Sequence, residues 1–155
     1  MRKSLSVALV WVALAGTGFA ASTVFAADLP FKVLSAGKVR GQVEAGVTEV
    51  RDAKALAQVW SQLDLKGHAP KVDFKQRKVV FWVGGGSACD KYVLIRAHED
   101  ESNVVLEITR VRPPPGRMCI MIFSPSVIVA SLPQTNKPFQ ANLSDGGPTA
   151  CDSTR

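Results

Sequence analysis

The sequence predicts an α+β fold, a twisted antiparallel β-sheet meander with one amphipathic helix packed on it. Three observations carry that prediction. Between Lys78 and Ser131 lie five short apolar runs, each divided from the next by turn chemistry. Only one segment, Asp52–Leu63, repeats its apolar residues at helical spacing. The run Val79–Val83 is apolar without alternation, as expected of a strand covered on both faces.

The first 26 residues read as a signal peptide rather than as part of the fold. Arg2 and Lys3 form a basic start, Leu5–Phe19 an apolar stretch, and Val24-Phe25-Ala26 a small-residue cleavage site. Cleavage is placed after Ala26, with Ala20 as the alternative, and no stable membrane anchor is expected afterwards. About 130 residues then remain, enough for a single domain with its own core. That domain is assigned to residues 27–145, and residues 146–155 form a polar tail.

Phe31 and Val33 flank Lys32, and Ser35-Ala36-Gly37-Lys38 reads as a turn. Val43, Ala45 and Val47 alternate with polar or small neighbours, so this segment is expected to join the sheet at an edge. In the helix that follows, Asp52 stands at the N-cap position, where its carboxylate can accept from the free first-turn amides. Leu56, Val59, Trp60 and Leu63 make the apolar stripe, while Lys54, Gln58 and Gln62 face away. Trp60 within that stripe is a core residue. Gly67 ends the element, Pro70 prevents its resumption, and His68 is an exposed loop residue.

After the doubly covered Val79–Val83 run, Gly84-Gly85-Gly86 reads as a hairpin turn. Tyr92–Ala97 and Val104–Val111 follow as strands, separated by Glu99–Asn103. In the second, Val104, Leu106 and Ile108 share one face and Glu107 and Thr109 the other, which is therefore wet. Pro113-Pro114-Pro115-Gly116 makes the next turn, and Ser124-Pro125 divides the last two runs.

Three cysteines lie beyond the signal, and thiols of exported proteins tend to be paired. In a meander, the triple-glycine and triple-proline turns emerge at the same end of the sheet. That places Cys89 beside Cys119 and predicts a disulfide between them. Cys151 remains as a free thiol, an intermolecular link or a competing partner for either. The cysteine spacing and the scarcity of histidine give no metal site, and no cofactor is implied.

The net charge is +6, but acids and bases alternate along the chain, giving a mixed surface without a nucleic-acid stripe. Gly84–Gly86 lacks the Gly-Lys-Ser/Thr and the helix of a phosphate loop. Ser87 lacks the strand-to-helix turn of a nucleophile elbow. Ser87, His98 and Asp100 make a triad only on paper, because His98 falls at the far end of its strand. No catalytic residue is assigned. The exposed stretch Arg112, Pro113, Pro114, Pro115, Gly116 and Arg117 is stiff and charged, and loses little entropy on binding. With the facing Gly84, Gly85, Gly86 and Ser87, it is the expected protein-binding surface.

The order of Val33–Gly37, the Val59-Trp60 helix, Pro70–Phe74, the strand ending in Gly84–Gly86, Tyr92–Ile95, the Pro113–Gly116 turn and Ser124-Pro125 with Val127–Val129 resembles the PrcB C-terminal domain family of exported bacterial proteins. The likeness spans about Phe31–Leu132. It departs at Ala88-Cys89-Asp90-Lys91-Tyr92, where the family often has Gly-Gly-Tyr. The family takes its name from an accessory, non-catalytic subunit of a secreted protease complex, and no catalytic residues carry over. The resemblance implies an accessory or protein-interaction domain, in the periplasm or secreted, whose partner is an envelope or secreted protein such as a protease. The alternatives are a protease inhibitor acting through Pro113–Gly116, and a small periplasmic hydrolase.

Overall fold

A computed structural model describes residues 26–40, 43–116, 118–119 and 122–146. The expected leader up to residue 25, Arg117, and the tail beyond Gly146 with Cys151 lie outside the described residues. The fold is α+β and rich in strands. In chain order the elements are β1 (Ala27–Asp28), β2 (Lys32–Lys38), β3 (Gly46–Val50), α1 (Ala53–Gln62), β4 (Arg77–Ser87), β5 (Lys91–Glu99), β6 (Val104–Val111), β7 (Phe123–Pro133) and β8 (Phe139–Gly146). They form two sheets, ordered β1-β5-β6-β8 and β2-β7-β4-β3. Every pairing is antiparallel except β6 with β8, which is parallel.

The central strands β4 and β7 explain why there are two layers of core. Both are apolar at successive positions, so each has an apolar set on either face. Val80 and Trp82 of β4, with Ile128, Ala130 and Leu132 of β7, meet Leu94, Leu106 and Ile108 of the other sheet. Val79, Phe81, Val83, Val127 and Val129 face the opposite way, onto Leu56, Trp60 and Leu63 of the helical segment. Each fully buried side chain of this kind contributes about 1.5–3 kcal/mol. The helix is the predicted one: Asp52 accepts from the Ala55 amide at 2.8 Å, and Lys54, Gln58 and Gln62 are exposed.

The expected edge position also holds, since β2 and β3 are the two edges of their sheet. Three local expectations are corrected. First, residues 35–38 are strand rather than turn, with a register shift between Val33 and Ser35 absorbing the irregularity. Second, residues 84–86 are not a turn but the end of β4, paired with residues 124–126. They are glycines because large groups pass over them. A Cβ on Gly84 would overlap the Trp82 ring, one on Gly85 the Phe123 ring, and one on Gly86 the Asp90 carboxylate and Tyr92 hydroxyl.

Third, Pro125 does not divide two strands. The Pro125 carbonyl accepts from the Val39 amide at 3.0 Å, on the side where the β2 ladder has ended at Ser126. A proline is tolerated at such an edge because its missing donor leaves no gap in the β7–β4 ladder. Met118, Cys119 and Ile122 precede the strand as loop. The five expected runs are thus four strands, and the single meander is shared between two sheets. The chain changes sheet after β1, after β4, after β6 and again after β7.

Candidate functional site

The antiparallel order brings the last residues of β2, β4, β6 and β8 and the first of β5 and β7 to one end of the sandwich. There Cys89, in the β4–β5 turn, and Cys119, in the β6–β7 loop, form the predicted disulfide, with Cα atoms 5.8 Å apart. The bond fits an oxidising, extracytoplasmic location. No helix among the described residues is long and apolar enough to cross a membrane.

The disulfide borders a cleft of about 640 Å³ between the two sheets. Its walls are mostly apolar, including Val93, Val111, Pro113 and Pro114, and its polar groups are few. Asp90 is buried, and its carboxylate accepts from the Ser87 amide at 2.7 Å. Tyr92 donates its hydroxyl to the Gly85 carbonyl at 2.9 Å and packs against Trp82, with ring centroids 5.0 Å apart. Burial, with the Asp90 charge second, pushes the Tyr92 phenol above its usual range. Lys38 donates to the Ser87 carbonyl at 3.0 Å, its Nζ 5.9 Å from the centre of the Tyr92 ring. Burial lowers the Lys38 ammonium from its ordinary value, and the Asp90 charge opposes that shift.

The predicted interaction residues divide between the cleft and its rim. Arg112 is exposed and bonds Asp145 at 2.9 Å; Asp145 also takes Arg110, so the two arginines clamp β6 to β8. Pro113 and Pro114 line the cleft, while Pro115 and Gly116 are exposed, Gly116 with φ of 86°. Gly84, Gly85, Gly86 and Ser87 are half-buried strand residues rather than a facing loop. Beyond the prolines, three large apolar side chains stand in solvent: Met118 at 96%, Ile122 at 62% and Phe123 at 74% exposure.

Sequence reasoning missed Lys38, Asp90, Tyr92 and Ser126 as cleft residues, and read Met118 and Ile122, which are loop, as strand along with Phe123, which is strand but exposed. Lys38 and Ser126 meet only because β2 pairs with β7, a contact that no local pattern announces. A run of apolar residues between two turn signals looks the same whether it is buried or, as here, displayed. Ser87 and His98 lie at opposite ends of the sandwich, as predicted. His98 Nδ1 is 3.6 Å from Glu107, and Asp100 is occupied by the Ser102 and Asn103 amides, so the paper triad is not assembled. Among the described residues, no cluster of His, Cys, Asp and Glu is arranged to hold a metal ion.

The architecture defines a class, a two-sheet sandwich with a helix on one face and a disulfide-tied loop beside an open cleft. No protein-family model, curated protein or solved structure matches the chain.

Proposed function

We infer that the chain is an exported, non-catalytic accessory domain that docks onto another envelope or secreted protein through its disulfide-tied loop. The observation that carries this is the exposure of Met118, Ile122 and Phe123 on a segment held at Cys119. Apolar side chains gathered at one place in solvent mark interaction surfaces, and Met and aromatic residues are enriched at their centres. Tethering lowers the entropy lost on docking, and the preceding prolines act in the same direction. The likeness in motif order to the PrcB C-terminal domain family supports the same reading and points to a protease complex as the partner. Periplasm or secretion is the location that agrees with the leader and the disulfide.

The test is affinity capture from the host's envelope extract with the wild-type chain and a Met118→Ser, Ile122→Ser, Phe123→Ser variant. The expected result is a near-stoichiometric partner held by the wild type and lost from the variant. No partner, or one captured equally by both, overturns the assignment. A second reading, a protease inhibitor, is favoured by the proline-stiffened loop with a disulfide beside it. If the captured partner is a protease, its activity in the complex decides: suppression makes the chain an inhibitor, and retained or raised activity makes it an accessory subunit.

A further inference from the structure

The cleft holds a polar group that the fold itself does not use. Ser126 is only 4% exposed, and its hydroxyl finds no hydrogen-bond partner among the described residues. A buried, unsatisfied hydroxyl costs about 1–3 kcal/mol, so native structures rarely keep one without a use. Its direction follows from the register. Successive β7 side chains alternate, with Val127 and Val129 toward the helix and Ile128 and Ala130 toward the other sheet. Ser126 therefore points between the sheets, where it lines the cleft. Lys38 sits directly across from it in the β2–β7 register, and so on the same face.

Lys38 has the complementary need. Its ammonium has no carboxylate within salt-bridge distance among the described residues, and its hydrogen bond goes to a neutral carbonyl. The charged side chains lining the cleft are Lys38, Lys91, Arg112 and Asp90, three cations against one acid. The acid already accepts from the Ser87 amide through one oxygen, and Arg112 is shared with Asp145. Lys38 and Ser126 thus line one face of the cleft, and neither side chain bonds a carboxylate among the described residues.

We propose that this cleft binds a carboxylate carried on an apolar group, with Lys38 and Ser126 as its donors and the apolar walls around its chain. The cleft's volume is in the range of small-ligand sites, where a mostly apolar lining and a few polar groups fix orientation. The carboxylate belongs to a free organic acid or to the end of a polypeptide. This site goes beyond the loop-docking reading and stands or falls without it, because it is tested with no partner protein present.

The experiment titrates the full chain, disulfide intact, with hexanoate, hexanamide, N-acetyl-alanyl-leucine and the C-terminal amide of that peptide. Amide proton–nitrogen correlation spectra provide the readout. Saturable shifts of Lys38, Tyr92 and Ser126 are expected with the carboxylates. The matched amides should bind about ten- to a hundredfold more weakly, as the loss of a charge-assisted bond implies. Binding of hexanoate as tightly as of the peptide assigns a free acid, and binding of the peptide alone assigns a polypeptide end. Lys38→Met should abolish the difference between acid and amide. Ser126→Ala should weaken the acids about tenfold while leaving Tm unchanged or raised, because it removes an unsatisfied group rather than a bond. No shift at these residues with any carboxylate, equal affinity for the amides, or undiminished binding by Lys38→Met overturns the proposal.

Discussion

The two ends of the sandwich are built on opposite rules. At the end opposite the disulfide, side chains close on the backbone. Asp100 accepts from the amides of Ser102 and Asn103, Thr135 donates to Glu99, and Lys137 reaches the Asp100 carbonyl. Gln134 bonds the carbonyls of Phe74 and Arg77, while Arg77 bonds both the hydroxyl and carbonyl of Ser131. Two backbone donors hold the Asp100 carboxyl below its ordinary range, the signature of a carboxylate whose charge serves the fold. At the disulfide end, among the described residues, there are instead an unpartnered hydroxyl, a lysine with no carboxylate within salt-bridge distance and three apolar side chains in water. The far end is the more heavily cross-bonded of the two, although His98 Nδ1 there is also buried without a hydrogen-bond partner among the described residues.

The most severe way to break the contrast is to remove the covalent tie. The disulfide closes a loop of sequence separation 30, and constraint of the unfolded chain by such a loop stabilises by about 3–4 kcal/mol. Cys89→Ser with Cys119→Ser should therefore lose roughly that much in urea unfolding. Amides that exchange only through global unfolding should lose protection by that common amount. Local opening should change only near the tie, so the extra acceleration should fall in the β4–β5 turn and at the start of β7 and spare Asn103, Val104 and Gln134. No extra acceleration at the disulfide end would show that the two ends are not independently held.

The helix, its cap, its apolar face and the doubly covered β4 were legible because each depends on neighbours in sequence. The disulfide was legible for a different reason. Antiparallel strands reverse direction at every connection, so turns separated by two strands return to the same end whichever sheet each strand joins. The expected single meander and the actual sandwich share that parity, and Cys89 meets Cys119 in both. Sheet membership was not legible. Nothing local tells β5 to leave β4 for β6, because both pairings present alternating apolar residues. Nor do three glycines in a row declare whether they bend the chain or clear a path, since only the Trp82, Phe123 and Tyr92 side chains passing over them decide it.

That path gives a second, smaller perturbation. An added methyl at Gly86 meets the Asp90 carboxylate and the Tyr92 hydroxyl, the two groups that join the turn to the cleft wall. Gly86→Ala should cost about 1–3 kcal/mol, the usual range for overpacking. It should also displace Tyr92 and alter the cleft without touching the far end. Crystal structures or amide shifts would check this. A variant as stable as wild type, with Tyr92 unmoved, would mean that the cleft wall yields freely.

The smallest expected effect is the most informative about what the open end is for. Lys38→Met removes a partly desolvated ammonium together with its bond to the Ser87 carbonyl and its contact with the Tyr92 ring. These oppose one another, and Lys38 is a largely exposed residue, so the net change should stay within about 0.5 kcal/mol. The pH dependence still carries a sign. The folded-state pKa of Lys38 lies below the ordinary 10.5, so between those two values the unfolded chain holds more protons. Stability through this group therefore rises with pH across that window. Tyr92 acts in the opposite sense, because its raised pKa lets the folded chain keep a proton that the unfolded chain releases from about pH 10 upward. Below that pH the Lys38 contribution stands alone, and urea midpoints measured as pH approaches 10 from below should climb more in wild type than in Lys38→Met. Identical slopes would mean that the ammonium is as well solvated as in the unfolded chain. The open end would then hold no unmet charge, and the contrast between the two ends would reduce to the apolar loop alone.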